Sequence, residues 1–186
     1  SIVDKNGLCV SNTYTLEMNF GSRIVVRGAG FILNNEMTDF NPIPGTTTRT
    51  GKIGTAANLV APGKRMLSSM TPTIVRKDGK PYLVTGSPGG RTIINTVLCV
   101  LVNTIDYDMT ATEAVDSARQ HHQWFPDRIS VEKSPTSEDL VVKLKTMGHT
   151  VTEARQGDAH TIRIDPMSGL YQGAADKRLN GKASGY

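Results

Sequence analysis

Apolar and polar residues alternate over many short stretches of this chain and follow a helical period over only three. Across residues 8–17 the alternation sets Cys9, Thr13 and Thr15 on one side and Val10, Tyr14 and Leu16 on the other, the pattern of a strand with both faces buried. Further β-like runs fall at 24–26, 30–33, 72–75, 82–85, 129–132, 150–153, 161–164 and 170–173. Lys77-Asp78-Gly79-Lys80 separates two of them and signals a hairpin, because Asp-Gly accepts the positive φ of a two-residue turn.

Residues 92–105 are apolar around most of a helical circumference, which predicts a buried helix starting just after Gly90. Thr110 and Glu113 have the spacing of a capping box and open a helix running to about Arg119. Thr136 or Ser137 caps a third helix over 138–147, and Gly148 ends it. Between Pro42 and Pro62 large apolar side chains give way to Thr, Gly, Pro and Ala, the composition of a mobile surface loop, and loops of that length are usually functional or disordered. Strands around two helices, followed by more strands, predict layered α and β structure. No linker divides the chain, so residues 1–186 are expected to form one domain.

With 186 residues, 38% hydrophobic and 20% charged, the chain can bury a sizeable core. The net charge of +4 is spread without a basic run, and aromatic residues are only 5%, which argues against nucleic-acid binding. Cys9 and Cys99 lie far apart with no metal-ligand spacing around them, and read as two buried free thiols, with a single bridge left open. His121 and His122 point in different directions on any regular element, so the pair is a poor metal site. Lys64-Arg65 reads as a solvated or paired basic dipeptide. No apolar run is long enough to cross a bilayer, and no signal segment is visible.

Two runs carry chemistry. In Leu67-Ser68-Ser69-Met70-Thr71-Pro72-Thr73, adjacent hydroxyls can donate to a carboxylate. In Thr85-Gly86-Ser87-Pro88-Gly89-Gly90, the glycines allow close backbone approach, so that N–H groups can face a developing negative charge. Either run alone reads more readily as turn chemistry.

Taken in order with Asn12-Thr13-Tyr14-Thr15-Leu16 and Leu33-Asn34-Asn35-Glu36-Met37-Thr38-Asp39-Phe40, the two runs resemble the small subunit of γ-glutamyltranspeptidase. The resemblance continues through Asn58 to Arg65, Arg119 to Trp124 and the C-terminal Ser184-Gly185-Tyr186. It implies an α+β fold, a four-layer αββα sandwich of the N-terminal nucleophile hydrolase type, of which this chain supplies the C-terminal part. It also implies a self-processed precursor with a large subunit as partner, no cofactor or metal, and export to a periplasmic or extracellular location. The expected nucleophile is an N-terminal threonine, activated by its own α-amino group. The family pattern places it just upstream of Ser1, so residues 1–186 alone are expected to be inactive.

The resemblance assigns the remaining roles residue by residue. Thr15 matches the threonine that hydrogen-bonds the nucleophile, and Gly89 and Gly90 match the oxyanion-hole pair. Glu36 and Asp39 match the acidic pair that reads the donor's α-ammonium, while Ser68 and Ser69 match the pair that reads its α-carboxylate. Glu17 stands where many members carry Asn and others Glu. The implied reaction takes a γ-glutamyl group from glutathione or another γ-glutamyl compound and passes it to water or to an amino-acid or peptide acceptor. Residues 42–58 match a lid over the pocket, although they lack the aromatic residue many lids carry. The alternatives are a truncated or degenerate non-catalytic relative, a poly-γ-glutamate depolymerase and a glutaryl acylase. Asp39 argues against the last, since a glutaryl group brings no ammonium.

Overall fold

The computed structural model describes residues 1–41, 43–135 and 137–185, and the chain divides into two compact units. The first comprises Ser1–Thr13, Met70–His122 and Arg128–Tyr186; the second comprises Tyr14–Ser69 and Gln123–Asp127.

The first unit begins with β1 (Ile2–Val3) and β2 (Cys9–Val10), paired antiparallel with Ile2 opposite Val10. The strand expected over 8–17 is therefore only two residues long. Its ladder stops because the Ser11 hydroxyl takes over: Oγ donates to the Thr85 carbonyl at 2.7 Å and accepts from the Thr73 N–H at 3.0 Å. Nor are both faces buried, for Tyr14 is 84% exposed. The hairpin of β3 (Thr73–Lys77) and β4 (Lys80–Gly86) is as expected, with φ of 51° at Asp78 and 76° at Gly79 in a two-residue turn.

Two helices follow, α1 (Ile93–Ile105) and α2 (Ala111–Asp116), and then the strands β5 (Gln120–His121) and β6 (Ile129–Val131). The last elements are α3 (Ser137–Thr146), β7 (Val151–Glu153), β8 (His160–Ile164) and β9 (Tyr171–Ala175). One sheet is antiparallel in the order β3-β4-β8-β9, and α2 packs on β8 and β9 while α1 packs on β4. Successive side chains of a strand point to opposite faces, yet Leu83, Val84 and Thr85 are all fully buried, so β4 is covered on both sides. Val100, Ala111, Ala114, Val115, Ala159 and Ala174 form the core between helices and sheet. In the second sheet, order β5-β6-β7, the pair β6 and β7 is parallel, and α3 provides the crossover such pairing requires.

Helix α1 departs from the expected all-round burial. Thr96, Val97, Val100 and Thr104 form the buried stripe, whereas Ile94, Leu98 and Ile105 are each more than half exposed. Helix α2 carries the expected capping box: the Thr110 Oγ1 accepts from the Glu113 N–H at 3.3 Å, and Glu113 Oε2 accepts from the Thr110 N–H at 2.9 Å. It ends at Asp116 rather than near Arg119, because Ser117 turns extended and Arg119 enters the interior. At the C-terminus of α3, Gly148 has a φ of 92° and stops the helix as expected. Thr136, one of its two candidate caps, lies outside the described residues, as do Pro42 and Tyr186.

A buried ionic network ties this unit together, and no sequence pattern announces it. Asp176 accepts from Arg119 Nη2 at 2.7 Å and from Arg178 Nη1 at 2.9 Å, and Arg178 also forks onto Glu132 through Nε at 2.8 Å and Nη2. Backbone N–H groups complete the carboxylates: Ala159 donates to Asp176, and Gln156 and Arg119 donate to Glu132. Burial works against ionising these acids, but Arg178 and the N–H donors outweigh it and hold both carboxyls below the ordinary range.

In the second unit the β-like runs at 24–26 and 30–33 reduce to one antiparallel bridge, Val25 with Ile32. One-turn 3-10 helices span Glu36–Asp39 and Ala56–Asn58. Residues 43–58 of the expected lid are cross-linked by their own backbone: the Gly45 N–H donates to the Gly54 carbonyl and the Thr48 N–H to the Lys52 carbonyl, each at 2.9 Å. Cys9 and Cys99 are free thiols, half-buried rather than buried, and burial pushes both upward in pKa. Among the described residues no helix is long and apolar enough to cross a membrane.

Candidate functional site

The candidate residues fall in two sets, one in each unit. In the second unit a turn at Thr15–Glu17 and the 3-10 helix Glu36–Asp39 carry three carboxylates. Thr15 Oγ1 accepts from the Glu17 N–H at 2.8 Å, bending the chain so that Glu17 adopts a φ of 72°, a left-handed conformation that non-glycine residues seldom take. Asn35 braces this turn. Its Oδ1 accepts from the Met18 N–H at 3.1 Å, its Nδ2 donates to Glu17 Oε2 at 3.4 Å, and its own N–H reaches the Leu16 carbonyl at 3.2 Å.

Glu36 is the electrostatic centre of the set. Burial first, then the negative charges of Asp39 and Glu17, raise its pKa above the ordinary carboxylate value. Its Oε1 is buried and has no hydrogen-bond partner. A desolvated carboxylate oxygen flanked by two more carboxylates is costly unless a cation or donor arrives from outside the chain.

Asp39 lies at the other end of the same 3-10 turn, and its Oδ2 accepts from Ser69 Oγ at 3.2 Å. The structure thus places an acidic group and a hydroxyl of the serine pair side by side, with Ser68 exposed next to Ser69. Asn58 supports this arrangement. It is 7% exposed, its Nδ2 donates to the Asp39 carbonyl at 2.7 Å, and its Oδ1 accepts from the Leu67 N–H at 3.0 Å. Neither Asn35 nor Asn58 stood out in the sequence as a functional residue. The signal available was their place beside Glu36 and before Leu59, inside stretches that carried the resemblance.

The glycine turn belongs to the first unit. Gly89 has a φ of 142° and Gly90 a φ of 55°, both in the region that favours glycine. A Cβ at Gly89 would lie 2.7 Å from Thr92 Oγ1 and 3.2 Å from Gly157 Cα, whereas one at Gly90 would meet nothing within 4 Å. The turn is therefore packed on one side and open on the other. Ser87 Oγ fixes its base, donating to the Pro88 carbonyl at 2.6 Å and accepting from the Asp158 N–H at 2.9 Å. Beyond it the 3-10 turn Gly90–Thr92 leads into α1, whose first N–H groups and dipole favour negative charge at this end. No group of three or more His, Cys, Asp or Glu among the described residues suits a metal ion.

This sequence and fold define a member of the γ-glutamyltranspeptidase family: the family model described as Gamma-glutamyltranspeptidase matches residues 1–186, and the chain belongs to that family. The chain is 49% identical over 179 residues to the glutathione hydrolase proenzyme of Escherichia coli (strain K12), covering 96% of this chain and 30% of that protein. It superposes with a TM-score of 0.88 and 44% identity on a Helicobacter pylori γ-glutamyltranspeptidase mutant, covering 95% of this chain and 97% of that one. The γ-glutamyltranspeptidase of Pseudomonas nitroreducens complexed with L-DON gives a TM-score of 0.87 and 43% identity, covering 100% of this chain and 96% of that one. The α+β fold expected from the sequence, of the N-terminal nucleophile hydrolase type, therefore stands. The chain spans about a third of the length of the curated relatives it matches.

Proposed function

We propose that this chain is the small-subunit part of an enzyme that cleaves γ-glutamyl amides such as glutathione through a γ-glutamyl-enzyme, and passes the acyl group to water, an amino acid or a short peptide. The large subunit of the same precursor is its partner, and the assembled protein works outside the cytoplasm. Residues 1–186 behave as one functional domain, with residues 42–58 as its lid. The unpartnered Glu36 oxygen beside Asp39 and Glu17 carries this reading, because the α-ammonium of a γ-glutamyl donor supplies the cation that the three acids lack. Ser68 and Ser69 take the α-carboxylate through their hydroxyls, and charge-assisted hydrogen bonds of this kind are roughly twice as strong as neutral ones.

The chemistry then proceeds at the γ-carbonyl. A threonine preceding Ser1 provides the attacking hydroxyl, its α-amino group takes the proton, and Thr15 hydrogen-bonds the nucleophile. The N–H groups of Gly89 and Gly90 meet the oxyanion as the carbonyl becomes tetrahedral, a transition-state contact that typically contributes about 3 kcal/mol per donor. Collapse expels the amine, which takes up that proton from the α-ammonium, and water or an acceptor amine then attacks the ester with the same α-amino group as base, releasing the threonine hydroxyl. The polypeptide 1–186 without its partner turns over no γ-glutamyl anilide.

Asp39→Asn in the processed enzyme tests the reading. It keeps the shape and removes a charge, at a cost of about 1.5 to 3 kcal/mol for a hydrogen bond to a charged group, or about a 10- to 150-fold loss in kcat/KM for γ-glutamyl anilide. A glutaryl anilide, which has no ammonium, should be hydrolysed as well as before or better. Equal losses on both donors would make Asp39 a residue of the fold and sink the assignment.

A further inference from the structure

Asn58 sits where the two halves of the proposed amino-acid-head site are joined. The acidic half is carried by the 3-10 turn ending at Asp39, and the hydroxyl half by the irregular segment entering Ser68 and Ser69. These segments are far apart in sequence, and one planar carboxamide bonds the backbone of both: the Asp39 carbonyl at 2.7 Å and the Leu67 N–H at 3.0 Å. The orientation of the amide is fixed, since only Nδ2 can donate to a carbonyl and only Oδ1 can accept from an N–H. A third contact, Nδ2 to Asn41 Oδ1 at 3.4 Å, and the donation of Asn41 Nδ2 to the Thr55 carbonyl at 2.7 Å anchor Asn58 from behind. At 7% exposure the group has little access to water that could replace these bonds.

We propose that Asn58 is a positioning residue for donor recognition: it sets the separation between the carboxylates that meet the α-ammonium and the serines that meet the α-carboxylate. The proposal rests on the reading of Glu36, Asp39, Ser68 and Ser69 given above. A rigid brace between two subsites matters only to a ligand that occupies both at once. A donor with half the head, 4-aminobutyryl (no carboxylate) or glutaryl (no ammonium), can settle on one wall wherever that wall stands.

The test uses the processed enzyme carrying Asn58→Leu, which removes the bonds to Asp39, Leu67 and Asn41 at similar volume, and Asn58→Asp, which keeps the acceptor for Leu67 and loses the donor to Asp39 and Asn41. For γ-glutamyl anilide, Asn58→Leu should raise KM about 10-fold, the effect of losing these hydrogen bonds, with kcat within about 3-fold of wild type. Asn58→Asp should fall between the two. For the 4-aminobutyryl and glutaryl anilides, kcat/KM should stay within about 3-fold of wild type in both variants. An equal loss on all three donors, a fall in kcat with KM unchanged, or failure of both variants to mature would overturn the proposal and leave Asn58 a residue of the fold. A wild-type enzyme that shows no preference for the full head over the half-heads would instead overturn the underlying site assignment, whatever Asn58 does.

Discussion

Glu36 shows how a single side chain can be expensive to the fold and still belong there. Its folded pKa is raised, so at neutral pH the folded chain holds its ionised form less favourably than the unfolded chain does, and that penalty disappears only below the ordinary carboxylate pKa. Glu36→Gln is therefore expected to leave the melting temperature unchanged or higher at pH 7, while kcat/KM for a γ-glutamyl donor falls. The pH profile separates charge from shape. In the wild type the acid limb of kcat/KM should begin above the ordinary carboxylate range, since the ammonium loses its partner as Glu36 takes a proton, and Glu36→Gln should move that limb to lower pH. A limb that does not move would show that Glu36 does not meet the ammonium. Glu36 and Asp39 could be found in the sequence because a short motif carries them. Asn35 and Asn58 lie in the same resembling stretches but drew no role there, because an asparagine bonding backbone across a loop leaves no periodic mark of its own.

Among the elements, those stabilised locally were legible and those held by distant partners were not. The Asp78-Gly79 turn and the Thr110–Glu113 box both formed, since each needs only its own few residues. The strand expected over 8–17 stopped at Val10 because Ser11 bonds Thr73 and Thr85, more than sixty positions away. Helix α1 showed its apolar composition plainly but not how much of it this chain covers. The network linking α2, β6 and the end of β9 was invisible for the same reason, and it governs acid stability. Because Glu132 and Asp176 have lowered folded pKa values, their contribution is complete above the ordinary carboxylate pKa of about 4 and is lost as pH falls through the folded values. Asp176→Asn leaves Arg119 and Arg178 short of a buried counter-charge and should cost about 3 to 5 kcal/mol in denaturant titrations of the assembled protein. Its melting temperature should also vary less with pH between about 5 and 2 than that of the wild type. An unchanged acid dependence would show that the network does not control it.

For the whole molecule, the exposed apolar stripe of α1 sets the expectation. Ile94, Leu98 and Ile105 are left uncovered on a helix whose other stripe is packed into the core, and exposed patches of this kind favour association. Expressed without its partner, the chain should self-associate or aggregate, as sedimentation velocity would show; a monodisperse monomer with a cooperative melt would contradict this. The two thiols carry a different consequence. Cys9 and Cys99 stand unbridged in a finished fold, and burial keeps both largely protonated and so slow to react. The native contacts described here thus form without a Cys9–Cys99 bridge, so a reducing agent has no cross-link between these two positions to break.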